Sequence, residues 1–295
     1  MINALISVYY PSETIVSNII AIASQADMVY VCDNTPASNQ WLADQMRSLD
    51  NARYICFQQN LGLSQAFNQI LKNASISWKK DDYVIFFDQD SLIAEHHIPQ
   101  MVSIYETLDK KGYKIGCLGP VYFNTSSGMI EIPKAKRVIL GHTYAVSSII
   151  TSSLLCTYGT LQEIGFWNER IFLDLADWDL CWRIQTTGKL CCVTKDVILQ
   201  HSLGYGTKKV GPIKLRVGQP FREYYQIREC LYLLGQAYTP IKYKLRFLAM
   251  LLIRSPLHIL LLDHKKLRLR YMTKGFMDFM RGKKGALETD QPGSE

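Results

Sequence analysis

Apolar runs alternating with helix-spaced segments through the first 120 residues predict an α/β fold, a mostly parallel sheet with helices on both faces. Two further observations sharpen that expectation. Acidic residues stand where several of the runs end, and a basic helical segment closes the chain. The runs at 2–9, 28–32, 53–57, 83–87 and 114–118 read as strands, and 12–25, 37–49, 62–75 and 95–110 have the spacing of the helices between them. Residues 128–158 change character, with short β-like pieces at Val138–Leu140 and Tyr144–Ile150. A helix is expected over Leu175–Thr187, stopped by Gly188, and Leu190–Leu199 reads as another strand. From Arg222 onward the pattern is helical, with breaks expected near Pro240 and Pro256. The last eleven residues read as a flexible tail.

The composition excludes disorder: 48% of the 295 residues are hydrophobic and 20% charged, enough for a substantial core. Eight cysteines (32, 56, 117, 156, 181, 191, 192 and 230) form no C-x-x-C pair, which fits buried free thiols in a reducing compartment better than disulfides or a zinc site. No basic segment precedes an apolar stretch at the N-terminus, so no signal peptide is expected. Charge is unevenly placed. Residues 240–284 carry twelve Lys/Arg against Asp263 and Asp278, whereas residues 1–239 hold 21 basic and 21 acidic side chains. That asymmetry points to an anionic partner of the C-terminal segment.

Candidate chemistry sits at the predicted strand ends. Asp88-Gln89-Asp90 follows Tyr83–Phe87, and two acids one residue apart offer hard oxygen ligands to a divalent cation, or simply a polar turn. Asp33, after Val29–Cys32, suits either a pyrimidine ring N–H or an Asx turn. Asn60, Gly62 and Asn68 begin a helix just beyond a strand and would present amides and a helix N-terminus to a nucleotide. Asp174, Asp177 and Asp179 cluster where a helix starts. Asp174 and Asp177 are expected to share a face, with Asp174 also suited to cap the helix. His201 ends a strand as a possible nitrogen ligand for a cation held by Asp88 or Asp90. Arg222 and Arg228 flank two tyrosines on a helix suited to phosphate or sugar.

Taken in order, Asp33, Asn60-x-Gly62, Asp88-x-Asp90, Asp177, His201 and Arg222-x-Tyr-Tyr-x-x-Arg228 resemble the inverting glycosyltransferases of family 2, which have the GT-A fold, a Rossmann-like sheet flanked by helices. Phe-Phe-Asp-Gln-Asp-Ser at 86–91 and the block at 164–183 are similar to bacterial rhamnosyltransferases of cell-surface polysaccharide (O antigen) synthesis. The resemblance covers residues 3–230 and implies a nucleotide-sugar donor, dTDP-L-rhamnose first and UDP-hexoses as the alternative. It implies Tyr9, Asp33, Asn60, Gly62, Asn68, Asp88, Gln89 and Asp90 around the donor. Mg²⁺ or Mn²⁺ would be held by Asp88, Asp90 and His201, with Asp177 as general base. The acceptor side would be formed by Ser152, Ser153, Trp167, Asp174, Asp179, Arg222, Tyr225 and Arg228. Thr151-Ser-Ser153 stands where a Thr-Ser-Gly-like turn is usual, and Glu229 where Asn is expected.

The expected organisation is a catalytic domain over 1–221, with a nucleotide-sugar half to about 120 and an acceptor half from 121, then a helical basic extension over 222–284 and a tail. Phe247–Leu262 is apolar but interrupted by Arg254, Pro256 and His258, so it reads as a surface-lying element on an anionic leaflet rather than a span. The implied protein is cytoplasmic and peripheral to the inner face of the membrane, with a lipid-linked saccharide acceptor. A helical subdomain making a homodimer is the alternative use of the segment. A nucleotidyltransferase would want a Gly-rich basic loop where Tyr9-Tyr-Pro-Ser-Glu13 stands. A nucleic-acid module would leave the strand-end acids unexplained.

Overall fold

The computed structural model describes residues 1–288 apart from 75–76, 125–127, 134–136, 202–205 and 211–212. The chain forms two compact units. The first comprises Met1–Asn168 and Ala176–Leu203, the second Glu169–Leu175 and Gly204–Glu295.

Among the described residues the first unit is built on one ten-stranded sheet. Strands β1 (Ile2–Val8), β2 (Met28–Asp33), β3 (Ala52–Cys56) and β4 (Tyr83–Asp88) are parallel in the order β3-β2-β1-β4. Their near-continuous burial is what a sheet covered on both faces demands. Helices α1 (Ile15–Ala23), α2 (Gln40–Arg47), α3 (Gly62–Asn73) and α4 (His97–Lys110) alternate with these strands and the next. In α1 the buried Ile15, Ile19, Ile22 and Ala23 make one apolar stripe, with the polar Asn18 buried at its side, so the helix lies flat on the sheet. Asn39 caps α2, its side-chain oxygen accepting the Leu42 N–H.

Strand β5 (Ile115–Asn124) extends six residues beyond the expected end, through Gly119 and Pro120. Proline has no N–H for the ladder, and β10 (Leu190–His201) bulges opposite it, its register jumping from Thr194 to Ile198. Between β4 and β5 lies β9 (Leu154–Thr157), antiparallel to both and unread in the sequence. The expected strand over Tyr144–Ile150 is only partly formed. Strand β8 (Thr143–Ala145) pairs with β10 and with β7 (Arg137–Leu140), whereas Ile149 leaves the ladder to pack over Gly119, where a β-carbon would collide with it. The short β6 (Met129–Glu131) pairs with β5. Helices α5 (Tyr158–Glu163) and α6 (Ala176–Thr186) complete the unit.

All eight cysteines are free. Cys117, Cys181 and Cys191 are buried with their sulfurs within 4.8 Å of one another.

The second unit contains the hairpin β11 (Gly206–Val210) and β12 (Ile213–Val217), then α7 (Arg222–Leu234), α8 (Ile241–Ala249), a π-helical turn (Met250–Arg254), α9 (Ser255–Leu261) and α10 (Lys265–Met280). The break expected near Pro240 is present: α7 ends at Leu234, capped by Gly235, and Pro240 is the N-cap residue from which α8 starts. Pro256 makes no break, because the wide turn before it absorbs the missing hydrogen bond and the Ser255 hydroxyl donates to the Met250 carbonyl at 3.1 Å. The expected domain boundary at 221/222 is not where the units part. Residues 169–175 join the second unit because Phe172 stacks on Tyr225 and Asp174 pairs with Arg222.

Candidate active site

Strands β1, β2 and β4 end side by side, and the loops at that edge are stitched to one another. Asp88-Gln89-Asp90-Ser91 is a tight turn: the Ser91 N–H donates to the Asp88 carbonyl, and the Asp88 N–H to the Ser91 hydroxyl, both at 3.1 Å. The Gln89 side chain accepts the Tyr9 N–H at 2.8 Å and its carbonyl accepts Asn18 Nδ2 at 3.2 Å, tying the turn to the end of β1 and to α1. Asp88 is half-buried and Asp90 exposed, an arrangement that presents carboxylate oxygens at the sheet's carboxyl edge, where open α/β sheets bind ligands.

Asp33 is fully buried at the end of β2. Its carboxylate accepts the Thr35 N–H at 2.8 Å and the Tyr54 hydroxyl at 2.7 Å. This is the Asx turn, and it shapes the loop rather than offering a solvent-facing carboxylate. Asn34 and Thr35 carry the same loop onward. Asn34 Oδ1 accepts the Leu61 N–H at 3.1 Å, and Thr35 Oγ1 the Tyr10 N–H at 2.9 Å. Asn60 accepts the Gly62 N–H at 3.0 Å, and Gly62 takes a φ of +72°, the left-handed turn into α3 that glycine permits. Asn68, expected at the nucleotide, instead clasps a peptide. Nδ2 donates to the Trp167 carbonyl at 2.9 Å, Oδ1 accepts the Trp167 N–H at 3.0 Å, and the side chain is 1% exposed. Trp167 is equally internal, edge-on to Phe86 with ring centroids 5.0 Å apart.

Ser152 and Ser153, expected on the acceptor side, belong instead to the end of β4. The Ser152 hydroxyl donates to Asp88 Oδ2, and Ser153 Oγ lies 2.7 Å from His97 Nε2. Burial pushes the His97 imidazole down to about 4. Far along the chain, β10 reaches the same edge. Leu92 and Gln200 exchange main-chain hydrogen bonds at 3.1 and 3.2 Å, so the backbone of His201 follows directly on a residue paired beside the Asp88 turn. The His201 side chain lies outside the described residues.

Helix α6 places Asp177 in its first turn, half-buried, its Oδ1 accepting the Trp178 N–H at 2.8 Å. Asp179 is fully buried and structural: it takes Arg183 Nε at 2.7 Å and Asn168 Nδ2 at 3.0 Å. Arg183 also donates to the carbonyls of Ile164 and Phe166 at 2.8 and 2.7 Å. The 164–168 loop is thus held by α3 on one side and α6 on the other. Asp174 does not share a face with Asp177 or cap α6, since the helix begins at Ala176 and Asp174 accepts Arg222 at 2.7 Å and Gln226 at 3.4 Å.

Within the second unit, Tyr225 and Arg228 are core residues rather than sugar contacts. Tyr225 is 2% exposed, stacks on Phe172 at 4.7 Å, and its hydroxyl accepts the Leu287 N–H at 2.9 Å. Arg228 lies over the Tyr224 and Tyr225 rings and donates to the Gly285 carbonyl at 2.9 Å. Glu229 is fully buried beside it, accepts the Phe172 N–H at 2.8 Å, and is pushed up to about 7 by burial, a shift Arg228 opposes.

Sequence reasoning passed over Asn34, Thr35, Tyr54, Ser91 and His97. The first two and Ser91 adjoin the motifs and were within reach as turn formers. Tyr54 and His97 carry no local signal, since their partners lie 21 and 56 residues away.

Residues 5–134 match the family described as Glycosyl transferase family 2. The chain is 27% identical over 295 residues to the dTDP-rhamnosyl transferase RfbF of Shigella flexneri, 96% of each chain being covered. It is 22% identical over 201 residues to the poly-beta-1,6-N-acetyl-D-glucosamine synthase of Staphylococcus aureus, of which it spans 46% while 63% of this chain is covered. Among solved structures it is similar to GalNAc-T7 with UDP, GalNAc and Mn²⁺, with a TM-score of 0.59 at 13% identity, covering 95% of this chain and 56% of that one. The sheet and its helices therefore have the GT-A arrangement. Strand-end acids, their stitched loops and the match over the same segment agree on a glycosyl transferase family 2 domain over residues 5–134, and the protein is a glycosyltransferase.

Proposed function

We propose that the protein transfers L-rhamnose, with inversion, from dTDP-L-rhamnose to a lipid-linked saccharide in bacterial surface polysaccharide synthesis. The observation that carries the donor is the end-to-end match with a dTDP-rhamnosyl transferase, 96% of both chains. The S. aureus synthase and the UDP-bound neighbour favour, as a second reading, a transferase using a UDP-hexose.

Asp88 and Asp90 supply carboxylate oxygens, the donor set that Mg²⁺ and Mn²⁺ prefer, and the end of β10 brings His201 to the same edge. These three residues would hold the ion, which when bound stabilises negative charge on the departing diphosphate. Gln89 and Tyr9 keep the acid turn against β1, and the loop held by Asp33, Asn60 and Gly62 forms the nucleotide side. Asp177, anchored on α6, takes the proton of the acceptor hydroxyl as its oxygen attacks the anomeric carbon. The diphosphate leaves from the opposite side, and the carbon inverts.

A panel of dTDP- and UDP-sugars, supplied with Mg²⁺ or Mn²⁺ and a synthetic lipid-linked acceptor, tests this. Release of dTDP from dTDP-L-rhamnose alone is expected. Asp177→Ala should lower transfer about 10²- to 10⁴-fold with the fold intact. Turnover only with a UDP-hexose would replace the donor, and an active Asp177→Ala would remove the base.

A further inference from the structure

We infer that Ser152 is a positioning residue for the cation-holding acids, its hydroxyl locking the Asp88 carboxylate in the orientation from which Asp88 takes a divalent cation. The inference rests on the reading of Asp88 and Asp90 given under the proposed function.

Ser152 is fully buried, and its hydroxyl donates to Asp88 Oδ2. A hydrogen bond to an ionised oxygen is roughly twice as strong as a neutral one, and burial removes the competing solvent. The Asp88 N–H meanwhile donates to the Ser91 hydroxyl at 3.1 Å, so a serine grips each end of the residue, main chain and side chain.

Ser152 is itself held in place from three directions. The next residue, Ser153, donates its N–H to the Phe86 carbonyl at 2.6 Å and sets its hydroxyl 2.7 Å from His97 Nε2. It also takes a φ of +62°, a left-handed conformation that is costly for a non-glycine residue. Leu154 then enters β9 opposite Phe86. This turn carries Ser152 to the end of β4, and its hydrogen bonds to Phe86 and His97 offset the backbone cost. The burial-lowered His97 stays neutral near pH 7, so the clip does not loosen there.

Removing the hydrogen-bond partner of a metal-holding group typically lowers metal affinity or activity about 10- to 100-fold. Ser152→Ala is therefore expected to raise the Mn²⁺ concentration for half-saturation by about 10-fold or more. Mn²⁺ binding is read directly by electron paramagnetic resonance with dTDP present, and in parallel as the Mn²⁺ dependence of turnover. Much of the maximal rate should return at saturating Mn²⁺. Ser152→Thr, which keeps the hydroxyl, should bind Mn²⁺ as the wild type does. Asp88→Asn separates the two claims. If it leaves Mn²⁺ binding unchanged, the reading of Asp88 is wrong. If it abolishes binding while folded Ser152→Ala binds like the wild type, only the role of Ser152 is overturned. Should Ser152→Ala fail to fold, Ser152→Cys, a near-isostere with a weak donor, takes its place, and wild-type affinity in that variant overturns the inference.

Discussion

Asn68 and Trp167, ninety-nine residues apart, exchange two hydrogen bonds through one side-chain amide. The same economy recurs at Asp33, where one carboxylate satisfies a peptide N–H and a buried hydroxyl. Both side chains act by building the loops around the sheet edge, because a polar group this deeply buried costs free energy unless its partners are supplied by the protein. His97 shows the same constraint with a proton. Its folded value, about 4, lies below the ordinary 6.5, so between those limits the unfolded chain binds a proton that the folded one refuses. The stability His97 contributes is complete above pH 6.5 and lost as the pH falls toward 4. The shift corresponds to roughly 3 kcal/mol in all. Denaturant melts across that window should show a steeper loss for the wild type than for His97→Gln. Matching pH profiles would mean the imidazole protonates as freely in the folded protein as in the unfolded chain.

Packing overrode the local sequence signal at one element and a local residue preference at another. Strand β9 is only four residues long, and its preceding loop has the more β-like composition, yet Ile149 in that loop is drawn over Gly119. Helix α10 shows the converse, a glycine kept in a helix interior. Gly275 faces α7 so closely that a β-carbon would stand 2.5 Å from the Tyr224 carbonyl oxygen. Gly275→Ala should therefore destabilise the protein by about 1–3 kcal/mol, against the small gain expected for alanine in an open helix. A thermal melt decides it: a higher melting temperature in the variant would mean the helices separate at little cost. On the other face of α10, Leu269, Phe276 and Met280 are exposed at one-stripe spacing, as are Ile241, Leu245, Leu248 and Leu252 on α8 and the turn after it.

At the scale of the molecule, the excess positive charge and these exposed apolar stripes belong to the same compact unit. Arg268 is the exception among the twelve basic residues. It is buried, paired to Glu223 at 3.0 Å alongside His258, and so serves the interior of that unit. Among the described residues no helix is long and apolar enough to cross a membrane. The proposed role of this unit is peripheral docking on an anionic leaflet, where apolar burial and the attraction of Lys242, Lys244 and Arg246 to the headgroups act together. Leu245→Glu with Leu252→Glu should reduce co-flotation with phosphatidylglycerol vesicles several-fold while leaving transfer to a water-soluble acceptor unchanged. Unaltered flotation, with a dimer lost instead in light scattering, would assign the stripes to a second copy of the chain.

The alternation of strands and helices, the acid turn after β4 and the basic segment were legible in the residues alone, because periods of 2 and 3.6 and the chemistry of strand ends are written in neighbouring positions. The partners were not. Nothing local says that Ser152 meets Asp88, that Asn68 holds Trp167, or that Asp174 turns to Arg222 rather than capping α6. Those contacts span 48 to 99 residues of chain and are selected by which buried donor meets which acceptor once the sheet has closed, a choice only the tertiary packing makes.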